Sequence, residues 1–159
     1  MTLPDSVSTR LKFLCRVAEK EARHLLQTDE RLFAQLQQSP TALATDEIEP
    51  LLAERMDAFV GRFGRLQDTL GDKLLPTLLD ALGEPRGPAI DNLDRAEKFG
   101  WIDSADAWMA ARRLRNLMVH EYIEDRQILS DALYTGHAFV PVLAAASARL
   151  AAVTRSHFG

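Results

Sequence analysis

Apolar side chains in the first forty positions recur at Leu11, Leu14, Ala18, Ala22, Leu25, Leu32 and Leu36. Gaps of three and four place them on one face of a helix, because each helical residue turns the chain by about 100°. The spacing predicts a first helix from Val7 to about Leu36, with Thr28 and Asp29 as a place where it could break. QQSPTALATDE then reads as a loop, its Ser39-Pro40 and short polar side chains favouring turns. A second helix has two candidate starts. Asp46 with Glu49 three residues on resembles a capping box, whereas Pro50 suits a first helical position, and both cannot hold.

Leu52, Met56, Phe59, Phe63, Leu66, Leu70 and Leu74 form the strongest periodic run, a seam that packs against other helices. Pro76 is expected to kink or restart it, and Gly83 to end the run TLLDALG. EPRGP reads as a turn. Pro88 opens a short third helix through Ile90, Leu93, Ala96 and Phe99, stopped by Gly100. Ser104 or Asp103 caps a fourth helix, with Trp108, Ala111, Leu114, Leu117 and Met118 facing inward. Asp125 starts a fifth through Ile128, Leu129, Ala132 and Leu133, bent near Pro141 and ending about Val153. No segment alternates with period two, and no internal repeat is present. The expected fold is all-α: one domain over residues 1–159, an up-and-down bundle of four to five helices with short loops.

Composition narrows the class. With 47% hydrophobic and 26% charged residues, a chain of 159 residues is an ordinary soluble globular domain. A net charge of −4 argues against general coating of nucleic acid but leaves room for a local basic cleft. Cys15 is the sole cysteine, so neither an intrachain disulfide nor a paired-cysteine metal site can form, and a reducing, cytoplasmic setting is expected. MTLPDSVSTR lacks the apolar core of a secretion signal, and AFVPVLAAASA is too short and proline-interrupted to span a bilayer. His24, His137 and His157 have no acidic or sulfur companions at metal spacing and are taken as structural or exposed, so no metal and no cofactor are expected.

The chemistry concentrates in RRLRNLMVHEYIED, Arg112 to Asp125, on the fourth helix. The bland account makes Arg115 a snorkelling side chain beside an amphipathic Tyr122, with His120 satisfied near the helix end. The functional account starts from what the groups do together. Arg115 offers a permanently charged fork for phosphate, and His120 can move a proton near neutral pH. That pair suffices for metal-independent cleavage of RNA through its own 2′-hydroxyl. Asn116 lies one turn before His120 and can orient the imidazole or the substrate. Arg112 and Arg113 add positive charge for substrate phosphates, or simply a solvated face. On an ideal helix Arg115 and His120 point roughly 140° apart. They share a pocket only if the helix ends or distorts there, or if a second subunit closes the site.

Arg115, four residues, His120, one residue, Tyr122 resembles the R-x4-H-x-Y signature of HEPN domains, and RNLMVHEY is similar to the HepT toxin branch. AEKFGWIDSADAWMAARRLRNLMVHEYIED is also similar to the nucleotidyltransferase substrate-binding proteins of that superfamily, the likeness running from about Phe99 to Asp125. The resemblance implies a bundle of four or five helices and a homodimeric endoribonuclease toxin with Arg115 and His120 lining a cleft between protomers. It also implies a minimal nucleotidyltransferase (MNT) antitoxin as partner, which transfers AMP to the residue matching Tyr122. Compared with compact members of that branch, Asp46 to Gly83 is long. A non-catalytic module holding substrate for a separate nucleotidyltransferase is therefore the alternative, and an interaction scaffold dimerising through the Phe59 to Leu74 seam a third.

Overall fold

The computed structural model describes residues 5–159, with side chains for all of them except Asp5 and residues 120–124. The described residues form helices and no strands. α1 (Asp5–Gln38) runs unbroken. Thr28 does not interrupt it, because that side chain is buried and its hydroxyl accepts a hydrogen bond from Arg62 of the next helix. A 3-10 turn (Ala42–Ala44) leads to α2 (Pro50–Asp68).

Of the two possible starts for α2, the later one is used. The Glu49 carboxylate accepts the backbone N–H groups of Leu51 and Leu52 at 2.9 and 3.1 Å, and Pro50 takes the first helical position, where no N–H is needed. Those two donors favour the ionised form and hold the Glu49 carboxyl below the ordinary glutamate range.

The seven apolar positions of the α2 seam are all buried, from Leu52 to Leu74. Each such side chain contributes about 1.5–3 kcal/mol relative to exposure, more than a cap does. Pro76 acts upstream of itself. The helix widens into a π turn (Thr69–Leu74), in which the Leu75 N–H reaches the Leu70 carbonyl, and α3 (Leu75–Ala81) resumes with Pro76 in its first turn. The proline ring lacks a donor and crowds the carbonyl four residues back; one extra residue in the preceding turn relieves both conflicts.

α3 ends at Gly83, φ +75°, with the Glu84 N–H bonded to the Leu79 carbonyl at 2.9 Å, a left-handed cap that glycine adopts without strain. α4 (Ala89–Lys98) starts one residue later than expected, with Pro88 as its cap, and gives way at Gly100. Ser104, not Asp103, caps α5 (Ala105–Glu124): its hydroxyl accepts the Ala107 N–H at 3.0 Å. Asp103 instead pairs with Arg149 of the last helix at 2.9 Å. Asp125 caps α6 (Arg126–Phe158), which continues through Pro141 and past Val153.

α1 packs against α2 and α6, and α5 packs against α6 and α2, so four long helices enclose the core as an up-and-down bundle; α4 rests on α3 and α5. Phe33 meets Phe59 edge to face at 5.4 Å, and Phe59 meets Phe63 at 5.9 Å. α6, at 33 residues, is by length and composition apolar enough to cross a membrane, so Pro141 does not limit it as the sequence suggested. Its Leu129, Leu133, Val140 and Leu143 are buried in the bundle, and 39% of the apolar stretch is buried in all.

Candidate functional site between α2 and α5

α5 approaches α2 along Trp108, Ala111, Arg115 and Met118, the spacing of an inward stripe. Three of these are buried and apolar; the fourth, where a leucine would be ordinary, is Arg115. Leu117, expected to face inward, is exposed, because it falls off this stripe, and Leu114 is only partly buried.

α2 and the π turn that follows it are cut away where the large side chains arrive. A Cβ on Gly64 would sit 2.5 Å from Arg115 Nε, and one on Gly71 would sit 3.1 Å from Trp108 Nε1. The absent side chains make room for a guanidinium and an indole, the close approach expected of helical glycines. Arg115 Nη1 then donates to Asp68 Oδ2 at 2.8 Å, one turn beyond Gly64, and Arg112 Nη2 donates to Asp72 Oδ2 at 3.0 Å. Gln67, fully inside, donates from Nε2 to the Trp108 carbonyl at 3.1 Å, while its Oε1 has no partner among the described residues. Two ion pairs and one amide therefore set the axial position of α5 on α2.

The Arg115 and Asp68 side chains are 38% and 36% exposed. An ion pair this wet is worth at most about 1 kcal/mol, so a phosphate can compete with Asp68 for the fork, whose other N–H groups remain. Arg113 and Asn116 are exposed. The side chains of His120 and Tyr122 lie outside the described residues. Helix α5 continues through both positions to Glu124, so it does not end between Arg115 and position 120. At about 100° per residue, position 120 falls on the face of Arg113 and Asn116, and position 122 on that of Arg115. Beside this end of α5 lies a mainly apolar cleft of about 330 Å³, lined by Met56, Asp57, Val60, Gly61, Met118 and Val119 with two leucines of α6.

Elsewhere, His137 Nδ1 lies 2.7 Å from Asp29 Oδ1, with its ring stacked on Phe33 at 4.0 Å. Nothing along the chain connects two residues so far apart, and no local spacing could have revealed the pair. His24 and His157 are exposed. Burial pushes the Cys15 thiol above the ordinary cysteine range. Among the described residues no three His, Cys, Asp or Glu side chains are grouped to hold a metal ion. Compared with models of known protein families, with characterised proteins and with solved structures, the chain matches none.

Proposed function

We propose that this protein is a HEPN-type, HepT-like toxin: a metal-independent endoribonuclease held in check by AMP transfer from a partner MNT nucleotidyltransferase. The observation that carries the reading is the R-x4-H-x-Y run Arg115, His120, Tyr122 with Asn116 inside it, on a helix whose half-buried Arg115 lies over a glycine of α2 at a stripe position otherwise held by buried apolar side chains. Its one ion pair, to Asp68, is solvent-exposed and leaves other N–H groups of the fork for a phosphate.

In the mechanism, His120 takes the proton of an RNA 2′-hydroxyl, whose oxygen attacks the adjacent phosphorus. The 5′-oxygen of the next nucleotide leaves and takes back the proton that His120 has accepted, and the product ends in a 2′,3′-cyclic phosphate. Arg115 stabilises the crowded phosphate, Asn116 orients the imidazole, and Arg112 and Arg113 attract the strand. Tyr122 is the control point, since an adenylyl group there adds bulk and negative charge to the face of α5 that carries Arg115, two turns or roughly 10 Å further on. Because α5 continues past position 120, the roughly 140° between Arg115 and His120 is bridged by the second protomer of a homodimer, which sets one copy's His120 against the other's Arg115.

The test is digestion of RNA in EDTA. Wild type releases cyclic-phosphate ends, and Arg115→Ala or His120→Ala abolishes them with the helical circular dichroism unchanged; cleavage by both variants at the wild-type rate would sink the reading. Mass measurement after coexpression with the neighbouring gene product should find AMP on Tyr122.

The alternative, a non-catalytic substrate-binding partner of a nucleotidyltransferase, draws on the Arg115–Asp68 and Arg112–Asp72 pairs, which offset two of the three cations nearest the motif. It predicts no cleavage by any variant, and nucleotide binding that Arg115→Ala weakens.

A further inference from the structure

On the other side of α2 the surface changes sign. A groove of about 350 Å³ runs between α1 and α2, and three arginines line it: Arg31 from α1, Arg55 and Arg62 from α2. Among the described residues none of the three is ion-paired, whereas the arginines of the α5 site are tied to Asp68 and Asp72. Arg55 donates to the Gln35 side-chain oxygen at 2.7 Å, and Arg62 to the Thr28 hydroxyl and, at 3.2 Å, to the His24 carbonyl. Neutral acceptors of this kind fix the direction of a guanidinium without cancelling its charge. Glu54 is the one acid lining the groove; the Glu49 carboxylate nearby, ionised and within electrostatic reach of Arg55, offsets part of the charge and leaves the three arginines in excess. The groove is thus net positive on a chain whose overall charge is −4.

Its shape selects among anions. Arg55 and Arg62 stand two turns apart, roughly 10 Å along the axis, which is long for one phosphate and suits several in a row. Arg31 faces them across the groove. Leu51, 47% exposed, and Ala58 supply an apolar floor between the charges, suited to sugars and base faces. Arg65, exposed three residues beyond Arg62, stands on the ridge between this groove and the α2 face that carries Gly64 and Asp68.

We infer that the α1/α2 groove is a binding track for the phosphodiester backbone of single-stranded RNA, gripped by Arg31, Arg55 and Arg62. It leads the strand over Arg65 toward Arg115. The inference rests on the RNA-cleaving reading only for the identity of the polymer.

The test uses the full chain and a fluorescent 2′-O-methyl RNA dodecamer, which binds but cannot be cut, followed by anisotropy over a salt series. Arg31→Glu combined with Arg55→Gln is expected to weaken binding at least tenfold at low salt. It should also reduce the slope of log affinity against log salt by about 0.7 for each phosphate no longer neutralised. Arg86→Ala, in the turn before α4, serves as the control and should leave both unchanged. Circular dichroism checks folding, and Arg31→Lys should retain most of the affinity if charge is what matters. Unchanged affinity and slope in the double variant would overturn the inference, as would absence of binding by wild type, or equal weakening by Arg86→Ala. Equally tight binding of an acidic glutamate dodecamer peptide would assign the groove to a protein partner instead and overturn it as well. Failure of the nuclease reading looks different: the wild-type protein leaves a natural RNA uncut, while the dodecamer still binds in an Arg31- and Arg55-dependent way.

Discussion

α2 makes two contacts of opposite character. Toward α1 and α6 it presents Phe59 and Phe63 to Phe33 and to buried leucines, with ring edges meeting faces at 5.4 Å. Toward α5 it presents glycines and carboxylates, and the contact is made by Arg115 over Gly64, Trp108 over Gly71, and ion pairs at 2.8 and 3.0 Å. The first contact is nondirectional and gains stability in proportion to the area removed from water. The second gains little from area and instead determines where particular polar atoms stand. A helix can thus be anchored on one side and left free to position polar groups on the other, because the anchoring energy does not depend on the polar face.

The sharpest way to break the comparison is Phe59→Ala. The ring is fully buried against Phe33 and Phe63, so the unfolding free energy in denaturant should fall by about 3–5 kcal/mol. A decrease below about 1 kcal/mol would place the anchoring elsewhere. Gly71→Ala comes next. The new methyl meets the Trp108 indole at 3.1 Å, in a site closed by buried neighbours, and overpacking of this kind costs about 1–3 kcal/mol, visible as a lower melting temperature.

Gly64→Ala should behave differently although the approach is closer. Arg115 is long and can swing away, and alanine favours a helix over glycine by about 0.5–1 kcal/mol, so stability should stay near wild type. Arg115 would leave Asp68, however, and RNA cleavage on the proposed mechanism should drop with it. Equal falls in melting temperature for Gly64→Ala and Gly71→Ala would remove the distinction between a yielding and a rigid neighbour.

The smallest effect belongs to the cap. Glu49 has its carboxyl lowered by two backbone N–H donors, so its contribution is present above the ordinary glutamate range and is lost as pH falls through the lowered value. The urea midpoint of wild type should decline relative to Glu49→Gln across that acidic window; parallel curves would show that the cap does not couple to folding.

Much of the fold was legible because its signals are local. The α2 seam, Gly83 and Gly100 as stops, Asp125 as a start and Pro50 as one of two starts all depend on side-chain period or on φ, which neighbouring residues reveal. Other features were not legible, for a common reason. Whether Pro76 would bend α2 or widen it depended on what surrounds the turn before it, and Thr28, polar in mid-helix, is buried because Arg62 reaches it from α2. Leu117 looked inward because it is apolar, yet the stripe that reaches α2 admits Arg115 in its place.

The candidate site divides along the same line. The sequence alone determines which chemically capable residues occur and at what spacing, hence that Arg115, Asn116, His120 and Tyr122 lie within two turns of one helix. Only the tertiary structure decided that Arg115 rests over Gly64 beside Asp68, that Asp72 holds Arg112, and that Arg31, Arg55 and Arg62 converge on one groove without carboxylates paired to them. The physical reason is range. Helical period and capping act over a few residues, whereas room for a guanidinium and the balance of charge around it are properties of what a second helix brings opposite.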